Sequence, residues 1–215
     1  MPHSLTPHSP PMPAEVAADV PAGQLATAKA ALRLAVLQRR DCLNAAACVE
    51  AARAIVARAG DLPVPPAVVI GGYRAIRSEI DPAGLIAALR AAGHGIALPV
   101  ILADRETMIF RQWDASVELV RASFGLKVPP DGAAIVEPRH LLVPLAGFDR
   151  RGYRLGYGKG HYDRVLARLG ATGPLVTIGI AFGCQEVDKV PEEAHDRPLD
   201  YILTERELIV AKGTS

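Results

Sequence analysis

An excess of one charge, paired cysteines and long apolar runs are all missing from this chain of 215 residues. Lys and Arg number 24 against 23 Asp and Glu, a formal net charge of +1. A general nucleic-acid binder carries a marked basic excess, so that class is excluded and any anion site must be local. The three cysteines, Cys42, Cys48 and Cys184, are odd in number and share no CxxC or Cys/His spacing. That argues against a disulfide framework or structural zinc and for a reducing, cytoplasmic setting. No flanking group would activate Cys184, which reads as a small buried or loop residue. The uncharged stretch from Ala171 to Cys184 is too short and too interrupted by Gly and Pro to span a bilayer. No signal peptide is expected either, since no Lys or Arg precedes Lys29 and no apolar h-region appears.

What is present suffices for one core: 50% of residues are hydrophobic and 22% charged. Residues 1–22 hold six of the 18 prolines, with only Glu15 and Asp19 as charges, and read as a flexible Pro-rich tail. Residues 23–215 read as a single α/β domain. Leu25, Leu32 and Val36 share one face of a helix from Gln24 to Cys42, and Ala45 to Ala59 forms a second helix. The run AVVIG from Ala67 to Gly71 predicts a buried parallel strand. Asp81 and Pro82 predict the start of a helix reaching Ala92. Strands are expected at Ile96–Leu102 and Thr107–Phe110, a helix near Ser116–Phe124, and a strand at Leu141–Leu145. A helix at His161–Leu169 and strands at Leu175–Ala181 and Asp200–Leu203 complete the series. Such alternation predicts a mainly parallel sheet, with ligands bound at the carboxyl ends of its strands.

The segment from Leu142 to Leu166, LVPLAGFDRRGYRLGYGKGHYDRVL, carries the chemistry. A strand passes through a turn at Asp149-Arg150-Arg151-Gly152 into alternating Gly156, Gly158 and Gly160, then a helix at His161. Glycines allow positive φ and close approach, so successive N–H groups can converge on one anion. Arg154, Lys159 and the helix N-terminus add positive charge, and together they describe a phosphate cradle. It is neither a Walker A loop nor a dinucleotide fingerprint, because no Ser or Thr follows the Gly-Lys. Lys29 and Arg33, four residues apart, share one helical face with Arg40 at the border of the apolar stripe. They suit cations aimed at a cleft, or basic side chains snorkelling at a core edge.

The run Arg154-Leu-Gly-Tyr-Gly-Lys-Gly-His-Tyr-Asp-Arg164, preceded by Val143-Pro144 and Phe148-Asp149, resembles the signature of 5-formyltetrahydrofolate cyclo-ligases. The resemblance extends from about Lys29 to Thr204. It implies a three-layer α/β/α fold like that of sugar isomerases and CoA transferases. It also implies ATP- and Mg²⁺-dependent conversion of 5-formyltetrahydrofolate to 5,10-methenyltetrahydrofolate, ADP and phosphate. Phosphorylation of the formyl oxygen and ring closure by N10 would be the two steps. By the same resemblance Arg154 and Lys159 are catalytic. Lys29, Arg33, Arg154, Gly156, Tyr157, Gly158, Lys159, Gly160, His161 and Tyr162 bind ATP. Tyr73, Arg74, Glu79, Tyr157 and His161 meet the folate, and Asp163 and Asp196 hold Mg²⁺. His161 stands where many relatives have tyrosine, and Tyr157 where some have arginine. Small molecules are the implied partners, with no nucleic acid or membrane, for a monomer or weak homodimer. The competing readings are a phosphosugar isomerase or acyl-CoA transferase, for which no catalytic carboxylate or lysine in a suitable loop is found, and a non-catalytic nucleotide- or folate-binding protein. Loops after Arg105 and near Arg139 are candidates, by charge alone, for binding a glutamate tail.

Overall fold

The computed structural model describes residues 22–122, 127–193 and 196–211. The chain runs through α1 (Ala22–Asp41), α2 (Ala45–Ala57), β1 (Val69–Gly71), α3 (Ala83–Ala91), β2 (Gly95–Ile101) and β3 (Met108–Trp113). Then follow β4 (Val120–Arg121), β5 (Lys127–Val128), β6 (Ile135–Val136), β7 (His140–Pro144), β8 (Gly147–Phe148) and β9 (Arg154–Leu155). Last come α4 (His161–Ala171), β10 (Val176–Ile180), β11 (Tyr201–Leu203) and β12 (Leu208–Val210). Apart from Ala22, the expected Pro-rich tail lies outside the described residues.

Eight strands form the main sheet in the order β12-β11-β10-β7-β1-β2-β3-β6. The five from β11 to β2 are mutually parallel, and β12, β3 and β6 add antiparallel edges. Period-two alternation splits their side chains between two cores. Ile70, Ile96, Leu98, Leu142, Ile178 and Ile180 pack with Ile55 of α2 and Leu85, Ile86 and Leu89 of α3. On the opposite face Ala97, Leu141, Val143 and Ile202 pack with Val165, Leu166 and Leu169 of α4. The result is the expected three layers.

After β1 the chain moves one way to β2 and later returns to place β7 on β1's other side. The sheet therefore reverses its winding between β1 and β7, the place at which open α/β sheets bind ligands. The loop after β1 holds residues 72–82; that after β7 holds the β8–β9 hairpin and the glycine segment. A third, smaller core sits above it. Leu32 and Leu37 of α1 pack against Ala146, Leu155, Val187, Val190 and Tyr157, and Val36 is fully buried.

Two expectations need correction. The helix near Ser116–Phe124 does not form over its described part; Val120–Arg121 instead pairs antiparallel with Lys127–Val128. Asp114 Oδ1 accepts from the Ser116 N–H at 2.8 Å and the Ser116 hydroxyl at 2.7 Å, a side-chain turn that withdraws helix donors. Nor does the series end at Leu203, because β12 returns along β11 as an antiparallel edge.

Candidate active site

Asp149 anchors the turn that aims the glycine segment. Its fully buried carboxylate accepts from the Arg151 N–H at 2.9 Å, the Arg151 guanidinium at 2.7 Å and the Val190 N–H at 2.9 Å. Beyond it Gly158 and Gly160 adopt φ of +83° and +69°, in the left-handed region. A Cβ at Gly156 or Gly158 would meet nothing within 4 Å. Gly160 is the N-cap of α4 and offers no side chain, so nothing in the cap competes for the first-turn N–H groups. Lys159 is exposed beside them.

Of the basic residues of α1, Arg33 and Arg40 reach this loop, and Lys29 turns to the segment before β11. Arg33 Nε donates to the Gly156 carbonyl at 2.6 Å, and Arg40 Nη1 donates to the Tyr157 hydroxyl at 2.6 Å. Lys29 Nζ reaches Glu193 at 2.8 Å and Asp196 at 2.5 Å. Burial works against the Lys29 charge, yet the two carboxylates outweigh it and raise its pKa. Arg154, with a side chain only 6% exposed, pairs with Asp163 and donates to the Arg197 carbonyl at 2.9 Å. Its pKa is lowered by burial, while Asp163 and Asp196 both act to hold its charge. Each expected phosphate cation except Arg33 and Lys159 thus rests on an expected metal carboxylate.

The loop after β1 supplies the other wall. Glu79 Oε2 accepts from the Ile76 N–H at 2.9 Å, and the carboxylate also interacts with the Tyr157 hydroxyl, while Oε1 is buried without a well-formed hydrogen bond. Burial pushes the Glu79 pKa up, opposed by the Ile76 bond, by Tyr157 and by the charges of Arg40 and Arg77. The Tyr162 hydroxyl is likewise buried without a partner, and burial raises its pKa, as it does that of Tyr157. A buried acceptor and a buried donor left open in one crevice suit a ligand with a polar edge. Glu79 also lines a largely apolar cavity of about 420 Å³, with Cys48, Val49, Val56, Asp81 and Phe182.

Some expected residues are placed differently. Tyr73 is 2% exposed and spends its hydroxyl on the Ile80 carbonyl at 3.0 Å, so it braces the Glu79 loop from the core. Arg74 is exposed. His161 Nε2 meets the Arg105 carbonyl at 2.9 Å, tying α4 to the turn after β2. Arg139 lies at the opposite, amino end of the sheet, where it donates to the Leu169 carbonyl at 2.6 Å at the end of α4. Two residues absent from the expected site belong to its frame. Glu193 shares Lys29 with Asp196, a role the acidic run Pro191-Glu192-Glu193 only hints at. Arg164, one turn after Gly160, donates to the Lys159 carbonyl at 3.1 Å and the Glu106 carbonyl at 3.2 Å, closing the glycine loop.

Comparison with known proteins gives the same direction. A family model described as the 5-formyltetrahydrofolate cyclo-ligase family matches residues 26–205. The 5-formyltetrahydrofolate cyclo-ligase of Mycolicibacterium smegmatis is 33% identical over 190 residues, covering 85% of this chain and 96% of the relative. That of Escherichia coli K12 is 33% identical over 149 residues, covering 66% and 80%. The solved 5,10-methenyltetrahydrofolate synthetase of Aquifex aeolicus superposes with a TM-score of 0.73 at 26% identity, over 87% of this chain and 95% of that one. The Mycoplasma pneumoniae synthetase gives 0.66 at 27% identity, over 82% and 98%. With a match spanning both α1 and the glycine loop, the chain belongs to the 5-formyltetrahydrofolate cyclo-ligase family.

Proposed function

We propose that the chain converts 5-formyltetrahydrofolate to 5,10-methenyltetrahydrofolate by ATP-driven activation of the formyl oxygen, with Mg²⁺ as the metal. The carrying observation is the segment from Gly156 to Gly160. Open space and left-handed glycines meet Arg33, Arg154 and a bare helix N-terminus there, opposite the open acceptor of Glu79. Phosphate chemistry on one wall and heterocycle recognition on the other is the pairing this conversion requires.

The formyl oxygen attacks the γ-phosphorus and the bond to the β-phosphate oxygen breaks, releasing ADP. N10 then adds to the activated carbon, its proton leaves, and the C–O bond breaks to release phosphate. The chain's part is positioning and charge balance, the main protein contributions to phosphoryl transfer. Backbone N–H groups of the glycine loop and Lys159 hold the phosphates. Arg154 turns from Asp163 to the transferring group, Glu79 accepts from the pterin N–H groups, and the Tyr162 hydroxyl donates to the same ligand. No nucleophile or general base from the chain is needed.

Asp163 and Asp196 fit Mg²⁺ in one way. Both act on Arg154, but among the described residues no group of three or more His, Cys, Asp or Glu is placed to hold a metal. Magnesium is held by one or two carboxylates together with substrate phosphates, so the donor set suits a metal that comes with the nucleotide. It would neutralise charge on the phosphates.

The test follows the methenyl chromophore in the near-UV when the protein is mixed with 5-formyltetrahydrofolate, ATP and Mg²⁺. A rise that needs both ATP and Mg²⁺ is expected. A flat trace from folded protein that binds both substrates would turn the reading into that of a binding protein.

A further inference from the structure

Arg40 takes no part in the chemistry above, yet three segments meet at it. It closes the last turn of α1 and is 2% exposed. Nη1 donates to the Tyr157 hydroxyl at 2.6 Å, Nε donates to Ser78 Oγ at 3.0 Å, and the guanidinium carbon lies 5.7 Å from the Tyr157 ring centroid. Ser78 passes the chain on to Asp41 at the end of the helix. A cation is seldom buried this deeply unless its charge is used. The nearest carboxylates are Asp41, which is exposed and 3.9 Å away, and Glu79, on which Arg40 acts electrostatically.

The groups facing Glu79 are Arg40 from α1, Tyr157 from the glycine loop, Tyr162 from α4, and Tyr73 and Arg77 from its own loop. Arg53 of α2 and Asp81 share its cavity. Of the cations, Arg40 is the one anchored by hydrogen bonds both to the residue beside Glu79, Ser78, and to the phenol that acts on the carboxyl, Tyr157. We propose that Arg40 is a positioning residue for the folate pocket: by holding Tyr157 and lending its charge, it presents the Glu79 carboxylate ionised to the bound pterin. The proposal rests on the reading of Glu79 as the pterin contact. It also gives Tyr157, where some relatives carry arginine, a guanidinium contributed from another element.

The experiment is the pH dependence of kcat/KM for 5-formyltetrahydrofolate at saturating ATP and Mg²⁺, in the wild type, Arg40→Met, Arg40→Lys, Tyr157→Phe and Glu79→Gln. Loss of a nearby opposite charge raises a carboxyl pKa by about one unit or more. The acid limb of Arg40→Met should therefore move up by about one pH unit, with KM for the folate rising more than kcat falls. Arg40→Lys keeps the charge and should return most of the limb, which damage to packing alone would not allow. Glu79→Gln should abolish the limb. A limb that stays put in Arg40→Met while Glu79→Gln removes it overturns the role of Arg40 and leaves the Glu79 reading intact. If Glu79→Gln changes neither the limb nor the folate KM, the pterin contact itself is wrong. Should Arg40→Met not fold, Tyr157→Phe decides, since it deletes one hydroxyl. A smaller upward shift is expected there, and an unmoved limb overturns the proposal.

Discussion

A methyl group added at Gly156 would meet nothing within 4 Å, and the backbone there needs no left-handed conformation. Gly156→Ala should therefore leave stability unchanged or raise it by about 0.4–1 kcal/mol through the unfolded chain. On the proposed reading the methyl would nevertheless stand where phosphate binds, so KM for ATP should rise by about tenfold or more in steady-state assays. Gly158→Ala has the same open space but φ of +83°, and should cost about 1–2 kcal/mol in urea unfolding. Lys159 is exposed, so Lys159→Ala should change stability by less than about 0.5 kcal/mol. Its turnover should fall about 10²- to 10³-fold, as when a group stabilising the transition state is removed. Glu79 shows the reverse balance. Its folded pKa is raised by burial, so the cost of its charge is absent below the unfolded value and grows as pH rises through the folded one. Glu79→Gln should stabilise the fold at neutral pH by on the order of 1 kcal/mol while weakening folate binding.

Between elements, the site's charges are already paired across segments. Lys29 of α1 holds Glu193 and Asp196, and Arg154 of β9 holds Asp163 of α4. A nucleotide without metal must compete with these carboxylates for their cations. On the proposed reading, Mg²⁺ would give the carboxylates a partner of their own and release the cations to phosphate. Calorimetric titration should find ATP binding at least about tenfold weaker in EDTA than in Mg²⁺, and Lys29→Met should narrow the gap. The elements that make this exchange were unequally legible in the sequence. The buried run before Gly71 and a helix start close to Asp81-Pro82 could be read directly, because local propensity and tertiary role agree there, although α3 begins one residue later, with Pro82 and not Asp81 as its N-cap. The β8–β9 hairpin and β12 could not, since strands of two or three residues are fixed by what they pair with. Tyr73 and Arg40 were ambiguous for a related reason. A tyrosine after a strand can face a ligand or the core, and a basic residue at a stripe's edge can snorkel or be buried. Only the contacts with Ile80 and Tyr157 decide.

Across the whole molecule the two ends of the sheet carry different pH dependences. The carboxyl ends hold Glu79 and the glycine loop. At the amino ends, His94 precedes β2 and His140 opens β7, each with a buried Nδ1 that has no hydrogen-bond partner. Burial first, and then the neighbouring His94, lower the His140 pKa below its ordinary 6.5. The fold thus prefers the neutral ring. Its contribution to stability is complete above the unfolded value near 6.5 and is lost as pH falls from there through the lowered folded value. Urea unfolding at pH 7.5 and pH 5 should show the wild type losing more stability than His140→Gln, by about 1 kcal/mol or less given the site's partial solvation. Equal losses would mean that His140 does not set the acid limit of the fold. Glu79 acts in the opposite direction, because acid removes the cost of its charge. Acid should therefore weaken the amino end of the sheet while it neutralises Glu79, the proposed folate acceptor, at the other. The two sites separate in the variants: His140→Gln should flatten the unfolding profile without moving the acid limb of kcat/KM, whereas Glu79→Gln should abolish that limb and, by removing a cost that acid relieves, steepen the unfolding profile.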